Sequence, residues 1–558
     1  MSSMEEKSEM INIELLDRGK VEVPLGTKVV DLILGFYTEH QILIVAALVR
    51  NEMKDLNYLL QEGDTVEMVD LSDEDGVRIY RRSAFFILQK ACDELFPGRI
   101  LMARHSLSDG LFCEFSNQEI TPREVKQLEE RMREIVKRRL PIERLVVYMK
   151  EALEIFSAAN QDDLVTLLQQ RNKNIIHVTR LEGFYEYFYG LLLTNTEQLI
   201  KFNLVYYPPG LILQTPMTKS PAAVMPFVEQ KRLASIYSEE KAWAEMLNAP
   251  HVPAVNKIIA DGGFKDLIRI NEALHEKKIA DIADQICQNK DIRVILIAGP
   301  SSSGKTTFAQ RLYIQLKVNG KNPMAISLDN YFVDRCDTPI DEFGEYDFES
   351  IDALKLDLFN EHLQQLINGD EVEMPLFNFV KGTCEDQGEM IRLGSDQLLI
   401  LEGIHCLNDE LTSSVYSKQK FKIYISALTQ LNIDYSNNIS TTDSRLVRRI
   451  IRDNRTRGSN ALDTIKRWSS VRRGEEKNIF PFQENADAMF NSSLVYELFI
   501  LKPYIESLLN QVRTDNREYA EAMRLQKFLS YFTPVMLEER DIPYNSIIRE
   551  FIGNSCFE

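Results

Sequence analysis

The sequence predicts a multi-unit α/β protein: two mixed α+β units, a helical stretch, and then a parallel sheet with helices on both faces. Three observations carry this expectation. The 558 residues are several times what one hydrophobic core sustains. The front of the chain alternates apolar and polar residues around glycine turns, which is the grammar of hairpins. From Asp291 onward, short apolar runs end in glycine or an acid and lead into helices, which is the grammar of buried parallel strands.

Composition narrows the class. Hydrophobic residues at 44% and charged residues at 27% exclude a fibrous or largely disordered chain. Lys plus Arg number 65 against 84 Asp plus Glu, a net charge of −19, which excludes a surface coated in nucleic acid but leaves room for local basic patches. The seven cysteines form no C-x-x-C pair, so neither a zinc ribbon nor a disulfide framework is expected. Apolar runs such as 42–49 are too short to span a membrane, and residues 1–10 are polar and acidic. These features predict a soluble cytoplasmic protein without membrane contact.

Taken in order, Ile11-Asn-Ile-Glu-Leu and Val21-Glu-Val-Pro flank Asp17-Arg18-Gly19 as a hairpin, and Thr65-Val-Glu-Met-Val completes a small unit near Asp70. The acidic stretch 72–75 marks a boundary. Thr121-Pro122-Arg123-Glu124 opens a helix, with Thr as cap, Pro at the first position and Glu at the capping-box position. Val125, Leu128, Met132 and Ile135 follow at helical spacing, and the charges between them read as a solvated face. Proline-rich chain over 206–226 precedes a helical connector at 229–290.

The chemistry concentrates beyond Asp291. The strand pattern Val294-Ile-Leu-Ile-Ala runs into Gly299-Pro-Ser301-Ser302-Ser303-Gly304-Lys305-Thr306-Thr307 and then a helix. This is Gly-x-x-x-x-Gly-Lys-Ser/Thr in its required context. Glycines let the backbone wrap a polyphosphate so that N–H groups and the helix N-terminus face its oxygens. Lys305 would neutralise the terminal phosphates, and Thr306 would ligate Mg²⁺.

Glu402 ends the apolar strand 397–401 and is a second Mg²⁺ candidate. Asp329 follows strand 323–328 and is the candidate base for a hydroxyl proton; an Asx turn is the competing reading. Arg445, Arg448, Arg449, Arg452 and Arg457 recur along one predicted helix and its end, expected to form a lid that brings charge to transferring phosphates.

The ordered motifs at 299–306, 327–331, 346–349, 375–379, 401–404 and 448–458 resemble the uridine kinase and phosphoribulokinase family. The resemblance covers roughly 291–510. It implies a P-loop kinase using ATP or GTP with Mg²⁺, in which Asp329 is the base and Lys305 with Thr306 serves the nucleotide. It assigns Glu402 to the metal, and Arg448, Arg452 and Arg457 to lid or phosphate contacts. Tyr331, Glu349, Phe377 and Arg445, with Asp329, become substrate candidates. Phe377 and Gly382 stand where uridine kinases present a Tyr and a His to the pyrimidine, so base selectivity departs from the family. Residues 431–442 read as an insertion.

Residues 11–70 resemble the TGS module of threonyl-tRNA synthetase, a β-grasp domain. The motifs at 81–86, 93–97, 109–115 and 130–156 resemble that enzyme's editing domain. Where the editing domain has its His-x-x-x-His pair and later Cys and His, this chain has Arg82, Phe86, Phe188 and Leu192, which implies lost hydrolysis. His105, His177 and His405 lack metal-ligand spacing and are expected to be structural.

The expected domains are therefore 1–72 (TGS-like β-grasp), 73–228 (editing-like α+β), 229–290 (helical connector), 291–510 (α/β P-loop kinase) and 511–558 (helical tail). The leading function is an ATP-dependent kinase of a small-molecule hydroxyl, a nucleoside or sugar, with a uridine-kinase-like nucleoside kinase foremost. The alternative is a nucleotide-responsive regulator that contacts RNA or tRNA through its N-terminal region, and homo-oligomerisation stays open.

Overall fold

The computed structural model describes all residues except 1–8, 117, 341–343, 345, 348, 379–380, 386–387, 430 and 536–537. Phe348 and Phe379, two of the motif residues above, lie outside the described residues, as does most of the 1–10 segment.

Met10–Leu15 alternates exposed and buried residues as its sequence dictates, and it pairs antiparallel with Gly19–Pro24. It lies parallel to Thr65–Asp70 at the middle of a five-stranded sheet completed by Ile44–Val49 and Glu52–Lys54. Helix Val29–Phe36 closes a core of Ile13, Leu15, Val29, Leu32 and Val66 against that sheet.

The 22-residue helix Glu74–Leu95 starts within the predicted boundary and is buried along most of its length. It packs with a four-stranded sheet that contains Leu101–Leu107 and Gly110–Phe115, and with helix Pro122–Lys137. The latter has the predicted capping box, with Thr121 Oγ1 accepting from the Glu124 N–H. A separate three-stranded sheet, Glu143–Tyr148, Ile175–Leu181 and Phe184–Glu186, faces the C-terminal helices.

The third sheet runs Asn322–Ser327, Gln397–Glu402, Val294–Ala298, Lys420–Ser426 and Ala488–Asn491, with every pair parallel. The crossovers place helices on both faces. Helix Phe264–Gln288 corrects the expectation of a connector at 229–290. Its Ile279, Ile282, Ala283 and Ile286 share one core with Ile295, Phe308 and Leu312, so it is a layer of the sheet domain. Buried Arg311 of the loop's helix pairs with Glu276 on it at 2.7 Å.

Residues 431–442, read as an insertion, join the halves. Asn432 Nδ2 donates to Ala103 O at 2.7 Å, Tyr435 N to Asp163 Oδ2 at 2.8 Å, and Asn437 Nδ2 to Tyr187 O at 2.9 Å. Among the described residues, no helix is long and apolar enough to cross a membrane.

Candidate functional site

The site forms where three parallel strands end together. Glu402 lies in register with Ile297 on one side and Ser327 on the other. The turns that follow these strands therefore deliver Gly299, Glu402 and Asp329 to one edge of the sheet.

Gly299 is required by space, because a Cβ there would lie 2.1 Å from Ile425 O. Gly304 is required by backbone angle: at φ +83° it caps helix Lys305–Val318 in a left-handed conformation. Lys305 Nζ bends back to donate to Gly299 O at 2.9 Å and Pro300 O at 3.2 Å. The hydroxyls of Ser302 and Ser303 are buried without a hydrogen-bond partner among the described residues. Buried unpaired donors at a helix N-terminus fit an anion with several oxygens.

Thr306 Oγ1 donates to Glu402 Oε1 at 2.9 Å. This hydroxyl and carboxylate form an all-oxygen pair that suits Mg²⁺, a cation that keeps waters and takes its remaining ligands from phosphate. Burial pushes the Glu402 carboxyl above its usual range, while Lys305 and the Thr306 hydroxyl oppose the shift. Asp329 is likewise raised by the surrounding protein, with Lys305 and Arg457 pulling it back. Its backbone N–H donates to Ser327 Oγ at 3.3 Å, so the turn is capped by the serine hydroxyl and not by the Asp329 carboxylate. Glu349 is raised by burial and by neighbouring Glu475, against Arg449 and Lys305. Lys305 thus sits in the field of all three carboxylates.

The arginine helix, Thr441–Arg457, differs from the expected lid. Arg445 and Arg448 are each 1% exposed. Arg445 is ion-paired with Glu475, and its Nε donates to Ser301 O at 3.1 Å. Arg448 is ion-paired with Glu497 and donates to Ser302 O at 3.3 Å and Ser492 O at 2.8 Å. Both brace the loop from behind and are committed to carboxylates. Arg445 is therefore not placed as a substrate residue, nor Arg448 as a mobile catalytic one. The helix is apolar on its other side through Leu446, Val447 and Ile450, and this second buried face fixes it in place. Arg452 pairs with Asp453 at 2.8 Å, while Arg457 is 59% exposed, lies 3.6 Å from Asp453, and influences Asp329.

Tyr331 is also corrected. It is 1% exposed, with its hydroxyl 3.1 Å from His362 Nδ1 and its ring against Phe359. The turn that presents Asp329 sends the side chain two residues later into the core. Phe377 lies on the short strand Leu376–Asn378, its ring 5.9 Å from Phe332. Gly382 has φ +72°, and a Cβ there would lie 2.9 Å from the Arg335 side chain, so the family's histidine position is closed.

Four residues make contacts whose partners carried no sequence signal. Arg449 Nη1 donates to Ser301 Oγ at 2.7 Å, and Glu475 Oε1 accepts from Ser301 N at 3.0 Å. The C-terminal tail crosses the loop: Glu550 Oε2 accepts from Thr307 Oγ1 at 2.9 Å and from Thr307 N at 3.4 Å. Arg455 fastens the tail by donating to Glu550 O at 3.1 Å and Phe551 O at 3.3 Å.

Two parts of the chain are similar to known proteins. The Phosphoribulokinase / Uridine kinase family model matches residues 294–497. A uridine kinase from Halalkalibacterium halodurans is 29% identical over 178 residues, 32% of this chain and 75% of that protein. One from Anoxybacillus flavithermus is 26% identical over 223 residues, 39% of this chain and 95% of that protein. A threonine--tRNA ligase from Desulforamulus reducens is 31% identical over 156 residues, 28% of this chain and 24% of that protein. The chain thus spans about a quarter of the length of the ligases it matches. Residues 294–497 thus match the Phosphoribulokinase / Uridine kinase family model, in one chain with a segment similar to part of the threonine--tRNA ligases.

Proposed function

We propose that the protein is an ATP- or GTP-dependent kinase that phosphorylates a hydroxyl of a small molecule, with a nucleoside as the leading acceptor class. The observation that carries this reading is the convergence of Asp329, Glu402 and Glu349 on Lys305 at the mouth of the phosphate loop. The nucleotide's phosphates lie along the N–H groups of 301–307, with Lys305 turning from the loop carbonyls to the β and γ oxygens. Asp329 accepts the proton of the acceptor hydroxyl as its oxygen attacks the γ-phosphorus. The bond to the bridging oxygen breaks, and the nucleoside diphosphate leaves. Thr306 and Glu402 would hold Mg²⁺, which neutralises charge on the phosphate oxygens when bound. Arg457, exposed and near Asp329, is positioned to add charge from the open side.

The same reading takes the five-stranded front unit as TGS-like and residues 73–228 as an editing-like unit without hydrolysis. Phe86 stacks edge-on against Phe188 at 5.7 Å, and Arg82 donates to Leu191 O at 2.7 Å. Apolar packing thus fills two of the positions that hydrolysis would need polar, and Arg82 is committed to a backbone carbonyl. The P-loop as a purely RNA-responsive switch is the less favoured reading, since a switch does not require a base at Asp329.

The test is nucleoside diphosphate release with Mg²⁺-ATP or Mg²⁺-GTP across nucleosides, sugars and sugar phosphates, beside Lys305→Ala. Lys305-dependent stimulation by one compound is expected. Retained nucleotide binding with no stimulation by any hydroxyl compound contradicts the reading.

A further inference from the structure

A second concave site lies far along the sequence from the phosphate loop, between the edge of the three-stranded sheet and helix Tyr519–Leu529. Its cavity of about 310 Å³ is lined by Arg171, Lys173, His177, Tyr187, Phe188 and Lys527, among others. That volume is at the lower end of small-molecule sites.

Its charge is one-sided. Arg82 and Arg144 stand close enough to join Arg171 and Lys173 in acting on Lys527. Among the described residues, none of these five cations forms an ion pair with a carboxylate. The chain has a net charge of −19, and Arg448 pairs with Glu497, Arg524 with Asp443 and Arg311 with Glu276, whereas here Arg82, Arg171 and Lys527 are partly buried beside the exposed Arg144 and Lys173. Burial, reinforced by the four neighbouring cations, pushes the Lys527 ammonium down to about 8. Grouping like charges in a half-enclosed space is unfavourable unless an anion completes it.

One cation is already oriented. Arg171 Nη1 donates to Tyr187 Oη at 2.5 Å and Nη2 to Ser530 Oγ at 3.2 Å, and the guanidinium lies 4.3 Å from the centre of the Tyr531 ring. A guanidinium held over an aromatic ring and by two hydroxyls loses little freedom on meeting a phosphate. The remaining wall is apolar and aromatic, from Ile175, Ile176 and Phe188.

We propose that this pocket binds a small phosphorylated ligand carrying at least two negative charges and a compact, partly apolar body. RNA is disfavoured because the cations converge on one cavity, whereas a strand's phosphates call for a groove that tracks them. The helix bearing Lys527 also carries Arg524, whose guanidinium holds both Asp443 carboxylate oxygens at 2.7 and 2.8 Å. The pocket is therefore built onto the same arginine helix that braces the phosphate loop.

The test is acylation footprinting of Lys527 in the full chain near pH 8, where its amine is nucleophilic, read by mass spectrometry. The probes are inorganic pyrophosphate, ADP, GDP and UDP, with a single-stranded RNA oligonucleotide as a separate arm. At a probe concentration about four times its dissociation constant, Lys527 acylation is expected to fall about fivefold. Lys305→Ala should leave this protection in place, since it disables only the phosphate loop. Arg171→Ala should raise the protecting concentration about tenfold, the scale of one charge-assisted hydrogen bond. Lys173→Glu, in the exposed loop before strand Ile175–Leu181, should do likewise if Arg171→Ala fails to fold. Unchanged Lys527 acylation with every phosphate probe overturns the proposal. So does protection by RNA alone, or protection that disappears in Lys305→Ala.

Discussion

The chain holds two sites directed at anions, and they are built in opposite ways. The phosphate loop offers backbone N–H groups and one lysine, and it is ringed by acids: Glu475 on Ser301, Glu550 on Thr307, and Glu402 on Thr306. The pocket at Lys527 offers side-chain cations and has no carboxylate paired with them among the described residues. The first is charge-balanced before any nucleotide arrives, so binding there exchanges one set of partners for another. The second is unbalanced, and its ligand supplies what is missing. A loop built for turnover gains from the first arrangement, because product that leaves is replaced by protein groups.

The comparison yields a ranked set of expectations. The largest is Lys305→Ala, which should lower turnover by about 10²–10³, the scale of losing a preorganised charge at the reacting phosphate. Turnover kinetics checks it, and an unchanged rate would remove the loop from the chemistry.

Next is Arg448→Ala, which leaves Glu497 buried without its partner and should destabilise the fold by about 3–5 kcal/mol in denaturant melts. Arg457→Ala, at an exposed position, should leave the melt unchanged and lower the rate by about tenfold. Equal effects of the two on stability would undo the distinction between bracing and phosphate-facing arginines.

A third expectation concerns pH. At the junction made by residues 431–442, burial raises Asp434 to about 7 and Glu186 to about 8. Because these folded-state values exceed the unfolded ones, the native state binds more protons, and stability falls as pH rises through them. The melting temperature should therefore drop more between about pH 4.5 and 7.5 in the wild type than in Asp434→Asn. Parallel curves would show that Asp434 does not titrate in that window.

The smallest effect is expected from the tail. Glu550→Ala frees the Thr307 N–H and hydroxyl, so nucleotide affinity should rise about fivefold as a competing carboxylate is removed. Weaker binding would mean that Glu550 organises the loop instead.

What could be read in the sequence follows from how far apart the partners lie. The phosphate loop was legible because its residues are consecutive and its strand and helix flank it directly. Asp329 and Glu402 were legible because each ends an apolar run, and parallel strands bring such ends to one edge. The arginine spacing was visible, but the burial of Arg445 and Arg448 was not, since Glu475 lies 30 residues on and Glu497 lies 49. Tyr331 was misplaced because a motif shows adjacency and not the direction of a side chain in a short turn. Glu550 reaches Thr307 across 243 residues with no pattern to announce it. The helix Phe264–Gln288 read as a connector because its apolar positions are consistent with helix packing on any neighbour.

The most direct test of the central claim is Asp329→Asn, assayed with whichever hydroxyl compound the wild-type protein phosphorylates, with nucleotide affinity measured in parallel. If Asp329 takes the acceptor proton, turnover should fall by about 10²–10⁴ while nucleotide binding stays within about twofold. Turnover that survives in Asp329→Asn, in a folded protein that still binds nucleotide, would contradict the assignment of the site.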